Sequence, residues 1–166
     1  MNKALNKEDV CKGLFTVDCE YCSKTFAIED AYCVCGFSKG EIQLNIELFL
    51  ERVYSLASDD FLAMDLIFYV YYHLYDKFDV MNDVLSKIDT SKLNDVLLIG
   101  FMTHTFKYIN KVPNHVIFCD KAAVRMKEMG HDDDLIHKLV DRYRKTGNYW
   151  ERMEAYGAPI WLSGPK

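Results

Sequence analysis

Proline is scarce in this chain, three residues in 166, and no tract rich in Pro, Gly or Ser marks a linker or a low-complexity segment. The chain should therefore form one domain, or one domain with a small appendage, large enough to bury a substantial core. No apolar run is long enough to cross a bilayer. The most hydrophobic stretch, Phe61 to Leu74, is broken by Asp65 and His73 and falls short of the roughly 20 residues that a spanning helix needs. The first residues, Met1 to Asp9, lack the apolar centre of a secretory signal. The expectation is a cytoplasmic protein in a reducing compartment, with no membrane among its partners.

An excess of positive charge is also missing. Lys and Arg number 20 against 25 Asp and Glu, a net charge of −5. The imbalance is concentrated between residues 41 and 110, where five basic groups face eleven acidic ones, while residues 111–166 carry ten basic and eight acidic groups. A protein whose main task is to grip a phosphate backbone needs the opposite balance, because that affinity comes largely from Lys and Arg. Catalytic motifs are absent as well. There is no Gly-rich phosphate loop, no His-Glu-x2-His, no deaminase-type His-x-Glu with Pro-Cys-x2-Cys, and no Ser or Cys set beside a His in a nucleophile motif.

What the sequence does contain is a cysteine cluster. Cys19-Glu-Tyr-Cys22 is followed after ten residues by Cys33-Val-Cys35-Gly36. Two thiol pairs in tight turns can place four sulfurs around one tetrahedral Zn²⁺, a closed structural site. In a reducing compartment, metal ligation explains such a cluster better than disulfides. Cys19, Cys22, Cys33 and Cys35 are thus the expected ligands of a structural zinc ion. Cys-x-Cys is shorter than the usual Cys-x2-Cys, so Cys11 is the reserve ligand should Cys33 or Cys35 fail. Otherwise Cys11 and Cys119 read as buried apolar residues.

Around the cluster, Leu14 to Val17 and Thr25 to Ile28 suit short strands, and Glu41 to Ile46 alternates polar and apolar residues as a third strand would. The switch to helix is expected near Asn45. Asn6 should cap a short first helix from Lys7 towards Gly13. Ser58-Asp59-Asp60 should cap a central helix through Phe61–Tyr75, apolar on nearly every side, and Asp79 should cap a shorter one ending at Ile88. Thr90 or Ser91 should open the next helix, Asn114 another that ends at Gly130, and Asp132-Asp133-Asp134 a last one. The fold class is mainly α: an irregular bundle of five or six helices with a small zinc-ribbon-like β element. The divisions are 1–40 for the ribbon, 41–156 for the helices and 157–166 for an extended tail.

Three function classes follow. The favoured one is a non-enzymatic binding or regulatory protein that engages a partner protein, with Tyr149, Trp150, Tyr156 and Trp161 as aromatic anchors. The second is a nucleic-acid-binding regulator that uses the ribbon and the basic stretch Arg142, Arg144 and Lys145; charge runs on helices are more often solvated faces. The third is an enzyme with a helix-lined pocket near His73 and Asp76, which with Asp65 and Tyr69 form a polar stripe on the apolar helix. Such a stripe is more commonly the seam where a buried helix meets solvent. The His131-Asp132-Asp133-Asp134 run is accounted for by capping and dipole complementarity rather than by a cation. A metal cluster on a small helical body in a short acidic chain has the character of a phage or viral accessory protein, an impression that no motif carries.

Overall fold

The computed structural model describes residues 6–105 and 111–138. The architecture is mainly α with a small three-stranded antiparallel sheet near the amino terminus. The chain divides into two compact units after His73.

The first unit opens with a short helix, α1 (Lys7–Cys11), whose Asn6 side chain accepts a hydrogen bond from Asp9 N at 2.9 Å. Three strands follow, β1 (Phe15–Cys19), β2 (Thr25–Ala27) and β3 (Gly40–Leu44), in the order β2-β1-β3. β1 alternates buried and more exposed residues because its Phe15, Val17 and Cys19 share one face. In register, Val17 faces Phe26 on one side and Ile42 on the other. The ladder ends where Asn45 N donates to Leu14 O at 2.9 Å. The same Asn45 then caps the next helix, α2 (Ile46–Ser55), by accepting from Leu48 N at 3.1 Å. One residue thus closes the sheet and opens the helix, at the position where the alternating pattern gives way to helical spacing.

Arg52 of α2 donates to the carbonyl oxygens of Val10, at 2.8 Å, and of Lys12. Its guanidinium satisfies carbonyl groups that the end of a short helix leaves open. The third helix, α3 (Asp60–His73), buries Ala63, Met64, Leu66, Ile67, Val70 and Tyr71. Its sequence is apolar on nearly every side and predicts a central helix, yet Phe61 and Tyr72 are well exposed, so its burial is one-sided. Its cap is Asp59, the middle residue of the Ser58-Asp59-Asp60 run, which accepts from Leu62 N at 3.1 Å; a carboxylate there also meets the positive end of the helix dipole.

In the second unit, α4 (Phe78–Lys87) has no side-chain cap, and Asp79 sits inside its first turn rather than before it. Asp89 caps a 3-10 turn at Thr90–Lys92. α5 (Asp95–Thr105) begins only after Asn94, whose side chain accepts from Leu97 N at 2.9 Å. Thr90 and Ser91 therefore belong to the turn and not to the helix start. The long helix α6 (Asn114–Glu128) buries Phe118, Cys119, Ala122 and Met126, with Phe118 edge-on to Phe101 of α5 at 6.0 Å. Asn82 of α4 fixes its start, accepting from Asn114 N at 2.7 Å and from Asn114 Nδ2 at 3.0 Å. Asp132 accepts from Leu135 N at 2.8 Å as the chain re-enters helix over 133–138.

Candidate metal centre

The cysteine pairs sit on two backbone turns at one end of the sheet. β1 runs into Cys19, and the chain reverses over residues 20–24. Ser23 N donates to Cys19 O and Cys19 N donates to Lys24 O, each at 3.0 Å, with Ser23 in the left-handed region at φ 59°. This turn brings Cys22 back beside Cys19. The second turn is closed by Cys33 N donating to Phe37 O and Gly36 N donating to Cys33 O, each at 2.8 Å. Gly36 has φ +84°, a conformation that glycine adopts without cost. The Gly after the second pair is therefore a turn requirement, as its place in the sequence suggests. A further bond, Glu20 N to Lys39 O at 3.1 Å, ties the first turn to the chain leaving the second.

The four sulfurs converge. Cys19 Sγ lies 3.6 Å from Cys35 Sγ, and Cys22 Sγ lies 3.4 Å from Cys33 Sγ. All four lie within 4.8 Å of one another, close enough to hold a metal ion. None is bonded to another; the separations are far beyond the roughly 2.05 Å of a disulfide. Cys19 and Cys33 are buried, Cys22 is half-buried and Cys35 is exposed. Among the described residues, no other group of three or more His, Cys, Asp or Glu side chains converges in this way.

The electrostatics fit a cation at the centre. The backbone N–H of Cys22 points at the Cys19 sulfur. Despite an opposing effect of burial, this group, the N–H of Tyr21 and the neighbouring thiols hold Cys19 down to about 7. At Cys35 the largest single effect, the N–H of Phe37, also favours the thiolate. Desolvation of the sulfur and the thiols of Cys22, Cys19 and Cys33 outweigh it and push Cys35 up to about 12. Four sulfurs this close cannot all carry charge in isolation, and a divalent ion between them removes that obstacle.

The surrounding packing shows why this end of the sheet depends on its cysteines. Its buried residues are Val17, Cys19, Phe26 and Cys33, with Cys22, Ile28 and Ile42 packed against them. Three of these seven are candidate ligands, so the element has little apolar core of its own. Gly40 matters here in a way that the sequence does not signal. It stands opposite Cys19 in the β1/β3 ladder, where a Cβ would lie 2.0 Å from Asp18 O.

The remaining candidates fall elsewhere. Cys11 is buried in α1, its thiol raised chiefly by burial, and is outside the converging set. Cys119 is buried on α6 with its sulfur 3.6 Å from Nε2 of His115, which is itself fully buried. α3 ends at His73, so the stripe 65, 69, 73, 76 does not continue along one helix and Asp76 lies past its end. His73 instead packs against Phe15 at 5.1 Å, Tyr69 at 4.8 Å and Tyr72 at 5.5 Å, ring centre to ring centre. Burial lowers its affinity for a proton. His131 lies 3.6 Å from Asp95, and Lys127 lies 3.5 Å from Asp133; with Asp132 as cap, three of the four residues of this run have structural partners. Tyr149, Trp150, Tyr156, Trp161, Arg142, Arg144 and Lys145 lie outside the described residues.

The fold and site together define a mainly helical chain with an amino-terminal four-cysteine element able to hold a metal ion. The chain matches no protein-family model, no curated protein and no solved structure. No helix among the described residues is long and apolar enough to cross a membrane.

Proposed function

We propose that the chain is a non-enzymatic binding or regulatory protein in which a structural Zn²⁺, held by Cys19, Cys22, Cys33 and Cys35, shapes a zinc ribbon that engages a partner protein. The observation that carries the reading is the convergence of four sulfurs within 4.8 Å. Four sulfurs at the 2.3 Å Zn–S distance of a tetrahedral site stand about 3.8 Å apart. The closest pairs, at 3.6 and 3.4 Å, lie near that edge length. A four-thiolate tetrahedral set suits zinc among the common divalent ions. It leaves no open coordination position for a water or a substrate, so its contribution is to shape rather than to chemistry.

A protein partner is favoured over nucleic acid by the net charge of −5. The test is affinity capture from the native host with the full chain, alongside the Cys22→Ser variant. Recovery of one stoichiometric protein by the parent chain, lost with the variant, supports the reading. Recovery of nucleic acid instead, or equal capture by both chains, contradicts it.

A further inference from the structure

The two turns that carry the sulfurs also carry large apolar side chains pointed at solvent. Tyr21 is 77% exposed, Tyr32 64%, Val34 84% and Phe37 40%. Each lies next to a ligand in sequence or, for Phe37, two residues beyond one. Because the four sulfurs meet within 4.8 Å, the two turns that carry these side chains come together at one end of the sheet. The rings of Tyr21 and Phe37, one from each turn, lie 5.8 Å apart and tilted by 35°. Turn tips need no such residues for their own folding, since they contribute nothing to the core there. Contiguous exposed apolar groups of this kind mark interaction surfaces.

The charge of the two turns and the strand ends beside them is negative in sum. Asp18, Glu20, Asp30 and Glu41 stand there against Lys24 and Lys39, whereas Glu29 is held ahead of β1, accepting from Gly13 N at 2.8 Å. None of these six forms an ion pair within the described residues, and Asp18 accepts from Thr25 Oγ1 at 2.7 Å. Asp18 and Glu41 even stand directly opposite each other in the ladder, an arrangement that costs stability unless a cation lies nearby. A divalent ion held by four thiolates adds two more negative charges.

We propose that this aromatic turn surface is the docking site for a basic segment of a partner protein, in which Arg side chains stack on Tyr21 and Phe37 while apolar neighbours cover Tyr32 and Val34. Arg is the favoured cation because its planar guanidinium stacks on aromatic rings and is weakly hydrated. The inference rests on the metal-bound reading above, since the metal holds the two turns together.

The experiment uses the zinc-loaded full chain and three probes: a short peptide alternating Arg and Leu, its Glu counterpart and single-stranded oligothymidine. The comparison protein is the Tyr21→Ser/Phe37→Ser double variant, which leaves every charge in place. The expected result is binding of the Arg peptide that shifts the amide resonances of residues 20–23 and 31–37, and that weakens at least about tenfold in the double variant, the scale of losing cation–π contacts to two rings. Equal binding by both proteins shows charge attraction alone and overturns the proposal. So does preference for the Glu peptide or oligothymidine, or a set of shifted resonances elsewhere. Metal content measured on the same samples separates the two readings. A parent chain that takes up no metal defeats both, whereas one that loads zinc and ignores the Arg peptide defeats only the docking surface.

Discussion

Gly40 stands directly opposite Cys19 across the β1/β3 ladder, and a Cβ on Gly40 would lie 2.0 Å from Asp18 O and 2.8 Å from Val17 Cγ1. The obstacle is backbone, so no side-chain movement relieves it. Gly40→Ala must push β3 away from β1 at the residue that carries the first sulfur. The expected cost is about 2 kcal/mol or more, measured by urea denaturation, together with weaker metal retention in a chelator titration. Gly36→Ala is a useful comparison. It has open space around its Cα but a positive φ of 84°, so its cost is that of the backbone conformation alone.

Removing a candidate ligand separates the four converging cysteines from Cys11. Cys22→Ser should lower metal affinity by more than about 100-fold, since loss of groups that merely support ligands already costs 10- to 100-fold. It should also open residues 15–44 to proteolysis while leaving most helical signal in circular dichroism. Cys11→Ser removes a buried thiol outside the converging set, so it should change stability and leave metal stoichiometry unaltered.

At the junction of sheet and helix, Asn45→Ala should cost about 1 kcal/mol, the usual worth of an amino-terminal cap. The lost interaction is the 3.1 Å bond from Leu48 N, while the backbone bond from Asn45 N to Leu14 O survives the substitution. Hydrogen exchange should therefore rise at the start of α2 and not along β1.

His73 gives the first unit a pH dependence of defined sign. Burial among Phe15, Tyr69 and Tyr72 lowers its folded-state value below the ordinary 6.5. The unfolded chain then binds the proton more readily than the folded one, so stability is flat above pH 6.5 and falls as the pH drops below it. His73→Phe keeps a ring in place and cannot be protonated. Urea midpoints at pH 7 and pH 5 should fall further for the parent than for the variant; any loss common to both belongs to the other titrating groups.

Legibility in the sequence followed the range of each interaction. Local signals were readable: Asn6 as a cap, the switch from strand to helix near Asn45, the strands flanking the cysteines, Gly36 as the turn glycine, and Asn114 at the start of α6. The cap of α5 moved from Thr90 or Ser91 to Asn94, because a separate 3-10 turn over Thr90–Lys92 precedes the helix. The convergence of the cysteines was suggested by spacing, although spacing alone could not show that Cys19 neighbours Cys35 while Cys22 neighbours Cys33. The role of Gly40 was hidden, since it arises from a cross-strand approach to Asp18 with no trace in the local pattern. The one-sided burial of α3 was hidden too. A helix apolar all round carries no mark of which face meets the rest of its unit.

The central claim is that four thiolates share one zinc ion. X-ray absorption at the zinc edge on the purified full chain tests it most directly. The account predicts one zinc per chain, with four sulfur scatterers at about 2.3 Å and no nitrogen or oxygen in the first shell. A site with fewer than four sulfurs, or a chain that retains no metal, would contradict it.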